Sequence, residues 1–339
     1  MAGTPAFYVD ARWNGNHGIG RFAQEVLARL TVPWSPLGGR IKPTSALDVA
    51  NTHRMALGRQ SVLYSPGFNA GLTSATQVLT VHDLIHLRSG DERGIAKSLY
   101  YEVVLKRAIL RAKVVMTVSG TSKKLIEQWL DNPAVSVVNV GNGCSPAFTA
   151  SGRTAALQDP SLLMIGNPRP HKNMEVCLRA LGLNRRLHVL WVVSDMARAT
   201  ELVRSYGVER QVSLLSNLSD DELATYYRAA AALVLPSLEE GFGLPALESL
   251  KCGTPVIYWA GCDSVREICG PNGMAIAGAE DAEEWADAMK SVLGAKKPVH
   301  TTHLEQYTWP AVSRRVEETL LATVALHQGG LDMAVNRLT

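Results

Sequence analysis

The chain has 339 residues, of which 46% are hydrophobic and 19% charged, and a net charge of +3. That length is comfortable for two domains, each with its own core, and the composition is that of an ordered globular protein without low-complexity tracts or fixed-period repeats; no nucleic-acid partner is expected. No run of about 18 apolar residues suggests a spanning helix, residues 1–12 lack a signal-peptide pattern, and five scattered cysteines without a CxxC pair (Cys144, Cys177, Cys252, Cys262, Cys269) argue against a disulfide scaffold or zinc ribbon and for a reducing cytoplasm.

Apolar runs alternate with amphipathic stretches from the start. Residues 6–9 (AFYV) predict a buried strand and 20–30 the helix after it; 61–65 (SVLYS) and 78–82 (VLTVH) are further strands. A long helix is expected over 94–112, then strands at 114–118 and 135–139 around a helix near 122–129. After a soft stretch at 149–159 the pattern restarts, with strands at 161–166, 188–193, 211–215, 232–236 and 255–259 and a helix at 173–183. Ser219 and Glu222 form a capping box that opens a helix toward Ala229. Such alternation predicts an α/β fold of two doubly wound parallel sheets. The expected domains are 1–150 and 151–309, with a last helix, near 310–326, in a tail (310–339) that crosses back to the first domain.

Ligands of open parallel sheets bind beyond the carboxyl ends of the strands, and two such sheets facing one another would share a cleft. SLEEGFGLPALESLKCGTPVI, residues 237–257, begins just past one predicted strand. Pro245 suits the first turn of a helix and Gly253 the position after its end. Glu240 then sits in the loop, Glu248 one turn into the helix, and Gly241 and Gly243 expose backbone N–H groups at an electropositive helix start. A carboxylate beside a phosphate-friendly helix end suits a ligand with both hydroxyls and phosphate, such as a nucleotide sugar. The plainer possibility is that Glu248 satisfies the helix dipole and Glu240 is a solvated charge.

Two other features are open to more than one reading. GIGRFA (18–23) fits the GxGxxA dinucleotide fingerprint, but the acidic residue expected about 20 positions on is missing. A tight loop in which Gly18 and Gly20 approach a diphosphate is the preferred reading, with Arg21 as an added charge or mere surface. His82 and His86 have i, i+4 spacing, but a strand runs into His82 and no third ligand is evident, so no metal site is expected.

Glu240 and Glu248, eight positions apart within EGFGLPALE, resemble the signature of retaining GT-B glycosyltransferases of the GT4 family. GNPRPHKN (166–173), NLSDDEL (217–223), VHDLIHL (81–87), VSGTSKKLI (118–126), VGNGCSPAF (140–148) and GNHGIGRF (15–22) resemble further motifs of that family, in its order and over nearly the whole chain. The resemblance implies two Rossmann-like domains facing across a cleft, the second binding the donor. It places Glu240 on the donor sugar's hydroxyls, Glu248 on the ribose, Lys172 on the diphosphate, His82 near the sugar, and Gly241, Phe242, Gly243 and Leu244 as backbone contacts. Asn217 and Leu218 border the base. His171 stands for a usual arginine; Asn167 occupies the place of another, with Arg169 as its replacement two residues on.

The resemblance further implies metal-independent, retaining transfer without a separate cofactor, in which the departing phosphate helps deprotonate the acceptor; no DxD motif occurs. Catalytic weight falls on His82, Lys172 and Glu240. GIGRF and HDLIHL resemble mannosyltransferase-like members that build bacterial surface polysaccharides such as lipopolysaccharide. GDP-mannose is therefore the first donor expected, UDP- and dTDP-sugars remaining open, with a glycan or lipid-linked glycan as acceptor, contacted by loops such as 12–17 and 51–75. A phosphorylase or nucleotide-sugar epimerase, or a non-catalytic nucleotide-sugar sensor, are the alternatives. Residues 1–150 carry 16 Lys/Arg against 9 Asp/Glu, the remainder 18 against 22. Arg93, Lys97, Lys106, Arg107, Arg111, Lys113, Lys123 and Lys124, with Tyr100 and Tyr101 among them, form a basic cluster over 93–124. It is either a solvated face or a dock for an anionic membrane, which would make the protein peripheral on the inner face.

Overall fold

The computed structural model describes residues 7–15, 18–88, 94–157, 160–294 and 298–327, without the side chains of residues 86, 88, 95 and 327. Asn16 and His17 of the glycine loop, the His86 side chain, Arg93 of the basic cluster and the end of the tail lie outside that description. The chain divides into two compact units, Met1–Gly143 with Tyr307–Thr339, and Cys144–Gln306.

Among the described residues the first unit holds six parallel strands: β1 (Phe7–Val9), β2 (Ser35–Pro36), β3 (Val62–Ser65), β4 (Thr76–Leu79), β5 (Val114–Thr117) and β6 (Ser136–Asn139). The order is β2-β1-β3-β4, with β5-β6 joined through a bridge between Thr80 and Met116. VLYS, TQVL and VVMT are buried along their whole length, as expected of strands covered on both faces. Helices Gly18–Leu27 and Gly120–Leu130 overlap those expected at 20–30 and 122–129, the first being shifted toward the N-terminus and the second capped by Ser119.

The single helix expected over 94–112 is three stretches: Ile95–Leu99, a π-helical Tyr100–Leu105, and Lys106–Ala112. The extra residue per turn lets two adjacent tyrosines both pack inward. Tyr100 hydroxyl donates to the carbonyl of Phe68 and accepts from the Ala70 amide, while Tyr101 is buried against Phe68 and Trp129.

The last helix, Trp309–His327, packs within the first unit. Trp309 meets Phe22 at 6.2 Å and covers Gly143, where a side chain would find no room. Arg315 Nε donates to the Val140 carbonyl at 2.8 Å, and Glu317 accepts from the Thr31 amide at 3.0 Å. Among the described residues no helix is long and apolar enough to cross a membrane, and no three His, Cys, Asp or Glu side chains cluster to hold a metal ion.

The second unit contains β7 (Leu162–Ile165), β8 (Val189–Val192), β9 (Val212–Leu215), β10 (Leu233–Leu235), β11 (Val256–Trp259) and β12 (Gly273–Ile276), all parallel, in the order β12-β11-β10-β7-β8-β9. Renumbered from its own first strand, this is the 3-2-1-4-5-6 order of dinucleotide-binding sheets. The order reverses between β7 and β10, which pair at Leu163 and Leu233. Trp191 and Trp285 are fully buried in this unit's core, and each still satisfies its indole N–H, on the carbonyls of Gly166 and Gly278.

Candidate functional site

The crevice outside the strand ends at such a reversal is where open α/β sheets bind ligands. Here it is bounded by the loop after β7, residues 166–173, and the loop after β10, residues 236–243. The two are tied together: the Leu238 amide donates to the His171 carbonyl at 2.8 Å. Trp191 fixes the start of the first loop through the Gly166 carbonyl at 2.9 Å. Asn167 Oδ1 accepts from the Ser194 amide, the Ser194 hydroxyl and the Asp195 amide at 3.0, 2.9 and 2.9 Å. Its side chain thus organises the loop after β8, a use that an arginine at this position could not serve.

Lys172 and Glu240 are 68 positions apart and meet in this crevice, Nζ to Oε1 at 2.6 Å, with side chains 21% and 11% exposed. Ser237 hydroxyl, fully buried, donates to the same Oε1 at 2.7 Å. Ser264 hydroxyl holds the Glu240 carbonyl at 2.7 Å. Glu240 is therefore fixed from three directions, while its Oε2 takes no hydrogen bond among the described residues. Close by, Cys262 is buried, and burial followed by the Glu240 charge pushes its thiol up to about 12, so it is no nucleophile at neutral pH.

Gly243 precedes the helix Leu244–Lys251 with φ +100, a conformation that needs glycine, and rests 3.2 Å from Val265 when a Cβ is added. Pro245 lies in the first turn and Gly253 just past the end, as the sequence pattern requires. Glu248, in the second turn, is 8% exposed, and Tyr227 hydroxyl donates to its Oε2 at 2.9 Å. Phe242 is buried and Leu244 half-buried. Asn217, exposed in a left-handed turn, and Leu218 precede the capping box of helix Asp220–Ala229, which carries Tyr227. Arg169 is exposed on the first loop.

The remaining candidates belong to the first unit. Gly20 has the Gly15 carbonyl 2.4 Å from where its Cβ would be, so its lack of a side chain serves the loop's own packing, whereas Gly18 has open space. His82 is 9% exposed, its Nε2 2.9 Å from the Pro66 carbonyl and its ring edge-on to Phe22 at 4.9 Å. In the basic cluster, Lys106 Nζ is taken up by the Trp129 carbonyl at 2.8 Å and Arg111 by that of Thr73 at 3.0 Å, while Arg107 and Lys124 are exposed.

The first sheet also reverses, between β1 and β3, and its crevice is filled. Arg12 bridges Asp10 at 2.5 Å and Asp48 at 2.6 Å; buried Arg54 holds Asp48 at 2.7 Å. Asn69 donates to Asp10 at 2.7 Å and Asp48 at 3.1 Å, and Trp13 Nε1 donates to Asn69 at 2.5 Å. Burial alone would raise the Asp48 carboxyl, but hydrogen bonds from Arg12 and Asn69 and the Arg54 charge hold it below the ordinary carboxylate range.

Fold and site together define an α/β protein with a Rossmann-type ligand crevice in its second unit. Residues 151–305 match the family model described as Glycosyl transferases group 1, so the second unit carries a domain of that GT4-like family. O-antigen chain mannosyltransferase RfbU of Salmonella typhimurium is 27% identical over 226 residues, 64% of this chain and 60% of that protein. O-antigen chain mannosyltransferase B of Escherichia coli is 28% identical over 230 residues, 63% and 60% of the two chains. The chain is thus matched over about 60% of the length of these curated relatives.

Among solved structures, sucrose-phosphate synthase from Thermosynechococcus elongatus superposes with a TM-score of 0.64 at 17% identity, covering 99% of this chain and 100% of that one. WaaG, a glycosyltransferase involved in lipopolysaccharide biosynthesis, gives 0.61 at 17% identity, covering 96% and 100%. Anabaena Alr3699/HepE in complex with UDP and glucose gives 0.59 at 14%, covering 98% and 100%. The fold is that of GT-B glycosyltransferases.

Proposed function

We propose that this protein is a retaining glycosyltransferase that moves a hexose from a nucleotide diphosphate sugar to a glycan or lipid-linked glycan, with GDP-mannose as the first donor to test. The observation that carries the reading is the Lys172–Glu240 pair at the second sheet's reversal point, beside the start of helix Leu244–Lys251. The mannosyltransferase relatives support the choice of sugar, and the UDP and glucose bound by a structural neighbour support the class of donor.

In this reading Glu240 Oε2 accepts from hydroxyls of the donor sugar and Glu248 from the ribose. Lys172 leaves Glu240 for the diphosphate. When the bond between C1 and the phosphate oxygen breaks, its electrons pass to the departing nucleoside diphosphate. The Lys172 ammonium and the N–H groups of residues 241–244 stabilise that charge more in the transition state than before it. The acceptor hydroxyl attacks C1 on the same face and passes its proton to the departing phosphate oxygen. No metal ion, separate cofactor or protein nucleophile enters this scheme. Arg169 and His82 are the added contacts to test, and Gly18 and Gly20 the first-unit ones.

The exposed Arg107 and Lys124, with Leu99 60% and Val103 38% exposed nearby in sequence, suit docking on an anionic bilayer at the cytoplasmic face. Charge reversal at Arg107 and Lys124 is expected to abolish sedimentation with phosphatidylglycerol vesicles; unchanged sedimentation contradicts docking. For the activity itself, GDP-mannose, UDP-sugars and dTDP-sugars are incubated with the full chain and glycan acceptors in the presence of EDTA. The expected result is release of nucleoside diphosphate with an axial (α) product from an α-donor. Free sugar 1-phosphate, an epimerised donor, or equal turnover in Glu240→Gln contradicts the assignment.

A further inference from the structure

Tyr227 is a residue that the donor-site motifs do not include, yet it reaches the site from behind. Its side chain is fully buried, and its hydroxyl donates to Glu248 Oε2 at 2.9 Å. The backbone is held as well: Thr254 hydroxyl donates to the Tyr227 carbonyl at 2.6 Å, and the ring stands edge-on to Phe148 at 5.7 Å. Burial, then the Glu248 charge, puts its phenol well above its ordinary range, so it is a proton donor at neutral pH. A hydrogen bond to an ionised carboxylate is roughly twice as strong as a neutral one. Glu248 has several side-chain torsions, and the Tyr227 hydrogen bond favours those that keep Oε2 on the phenol.

We propose that Tyr227 is a positioning residue that fixes the Glu248 carboxylate so that it selects a ribose over a deoxyribose in the bound nucleotide. The inference rests on the donor-site reading above, and adds to it a buried hydroxyl that orients Glu248. Two buried hydroxyls then serve the two carboxylates in parallel, Ser237 at the sugar end and Tyr227 at the nucleoside end. A vicinal ribose diol presents two donors to a carboxylate. Discrimination requires that the carboxylate be held facing them, because a mobile one relaxes onto other partners when the diol is missing.

The test is calorimetric titration of the full chain with GDP, UDP and their 2′,3′-dideoxy counterparts. Wild type is expected to prefer the ribose form by at least about tenfold. Tyr227→Phe, which keeps the ring and removes one oxygen, is expected to lose most of that ratio by weakening ribose binding while leaving dideoxy binding unchanged. Ser237→Ala is expected to leave the ratio intact, which separates positioning at the nucleoside end from general loosening. Glu248→Gln gives a reading independent of how Tyr227→Phe folds. Its amide oxygen still takes the Tyr227 proton, which turns the NH2 toward the ligand, and the ratio is expected to collapse. An undiminished ratio in Tyr227→Phe, with the ratio lost in Glu248→Gln, overturns the inference while the donor-site reading stands; an undiminished ratio in Glu248→Gln overturns both the inference and the assignment of Glu248 to the ribose. Failure of wild type to bind either diphosphate overturns the donor-site reading and this inference with it.

Discussion

At the reversal point of the first sheet, Asp10, Arg12, Asp48, Arg54 and Asn69 bind one another, two anions against two cations, with both carboxylates nearly inaccessible and only the buried Arg54 Nε, among these groups, left without a hydrogen bond to the described residues. At the reversal point of the second, Lys172 and Glu240 make one 2.6 Å contact at a single carboxylate oxygen and remain partly open to solvent. Both crevices are topologically suited to a ligand. The difference lies in accessible hydrogen-bonding capacity: in the first network both carboxylates are buried and held by the arginines and Asn69, so that it acts as a clamp on the loops it joins, whereas in the second one carboxylate oxygen is without a hydrogen bond among the described residues and both side chains are partly exposed, the capacity that the proposed sugar diphosphate would use.

The largest test of that contrast removes a charge from each crevice. Arg54→Met leaves buried Asp48 without its fully buried cationic partner and is expected to destabilise the first unit by about 3–5 kcal/mol, read as a lower urea midpoint. Lys172→Met is expected to change stability by less than about 1 kcal/mol, because the pair is partly solvated, yet to lower turnover roughly 10²–10³-fold. Stability loss at Lys172 matching that at Arg54 would erase the distinction between clamp and site.

A smaller effect is expected at Ser237. Replacement by alanine removes one hydrogen bond from Glu240, worth about 1 kcal/mol, and should lower kcat/KM roughly fivefold without moving the urea midpoint by a comparable amount. No change in kcat/KM would show that Lys172 and Ser264 suffice to hold Glu240.

The pH dependence sharpens the comparison further. The Asp48 carboxyl is depressed in the folded protein. Its stabilisation is therefore fully present above the unfolded value of about 3.9 and is lost as pH falls through the lower folded value. Urea midpoints measured from pH 7 down to pH 2 are expected to drop below about pH 4, and the drop should be shallower in Asp48→Asn, which is already weakened at neutral pH. Parallel curves for the two proteins would mean that the clamp does not set the acid limit.

Much of this was legible in the residues. Ten of the twelve strands among the described residues overlap the apolar runs, because a parallel strand buried on both faces has little choice of residue. The strands that escape, Ser35–Pro36 and Gly273–Ile276, are edge strands; one is two residues long and the other begins at glycine. Helices Met196–Ser205, Asp263–Cys269 and Ala282–Ser291 were not anticipated, although Asp281 caps the last and Trp285 fills the core beneath it. The Glu240–Glu248 segment was readable because Pro245, Gly243 and Gly253 mark the helix ends. Ser237, Ser264, Asn167 and Tyr227 were not readable as site residues: their contacts are made through the fold, and nothing in a serine or tyrosine signals which carboxylate it will hold. In the first unit, Arg12 and Arg54 could not be told from surface arginines until β1 and β3 were set side by side.

The central claim is that the second unit's crevice receives the diphosphate of an activated sugar at Lys172. A crystal structure of the full chain soaked with GDP-mannose, or with UDP-glucose should the first not bind, tests this directly. The account predicts both phosphates between the Lys172 ammonium and the amides of residues 241–244, with a sugar hydroxyl on Glu240 Oε2. A diphosphate bound elsewhere, with Lys172 still paired to Glu240, contradicts it.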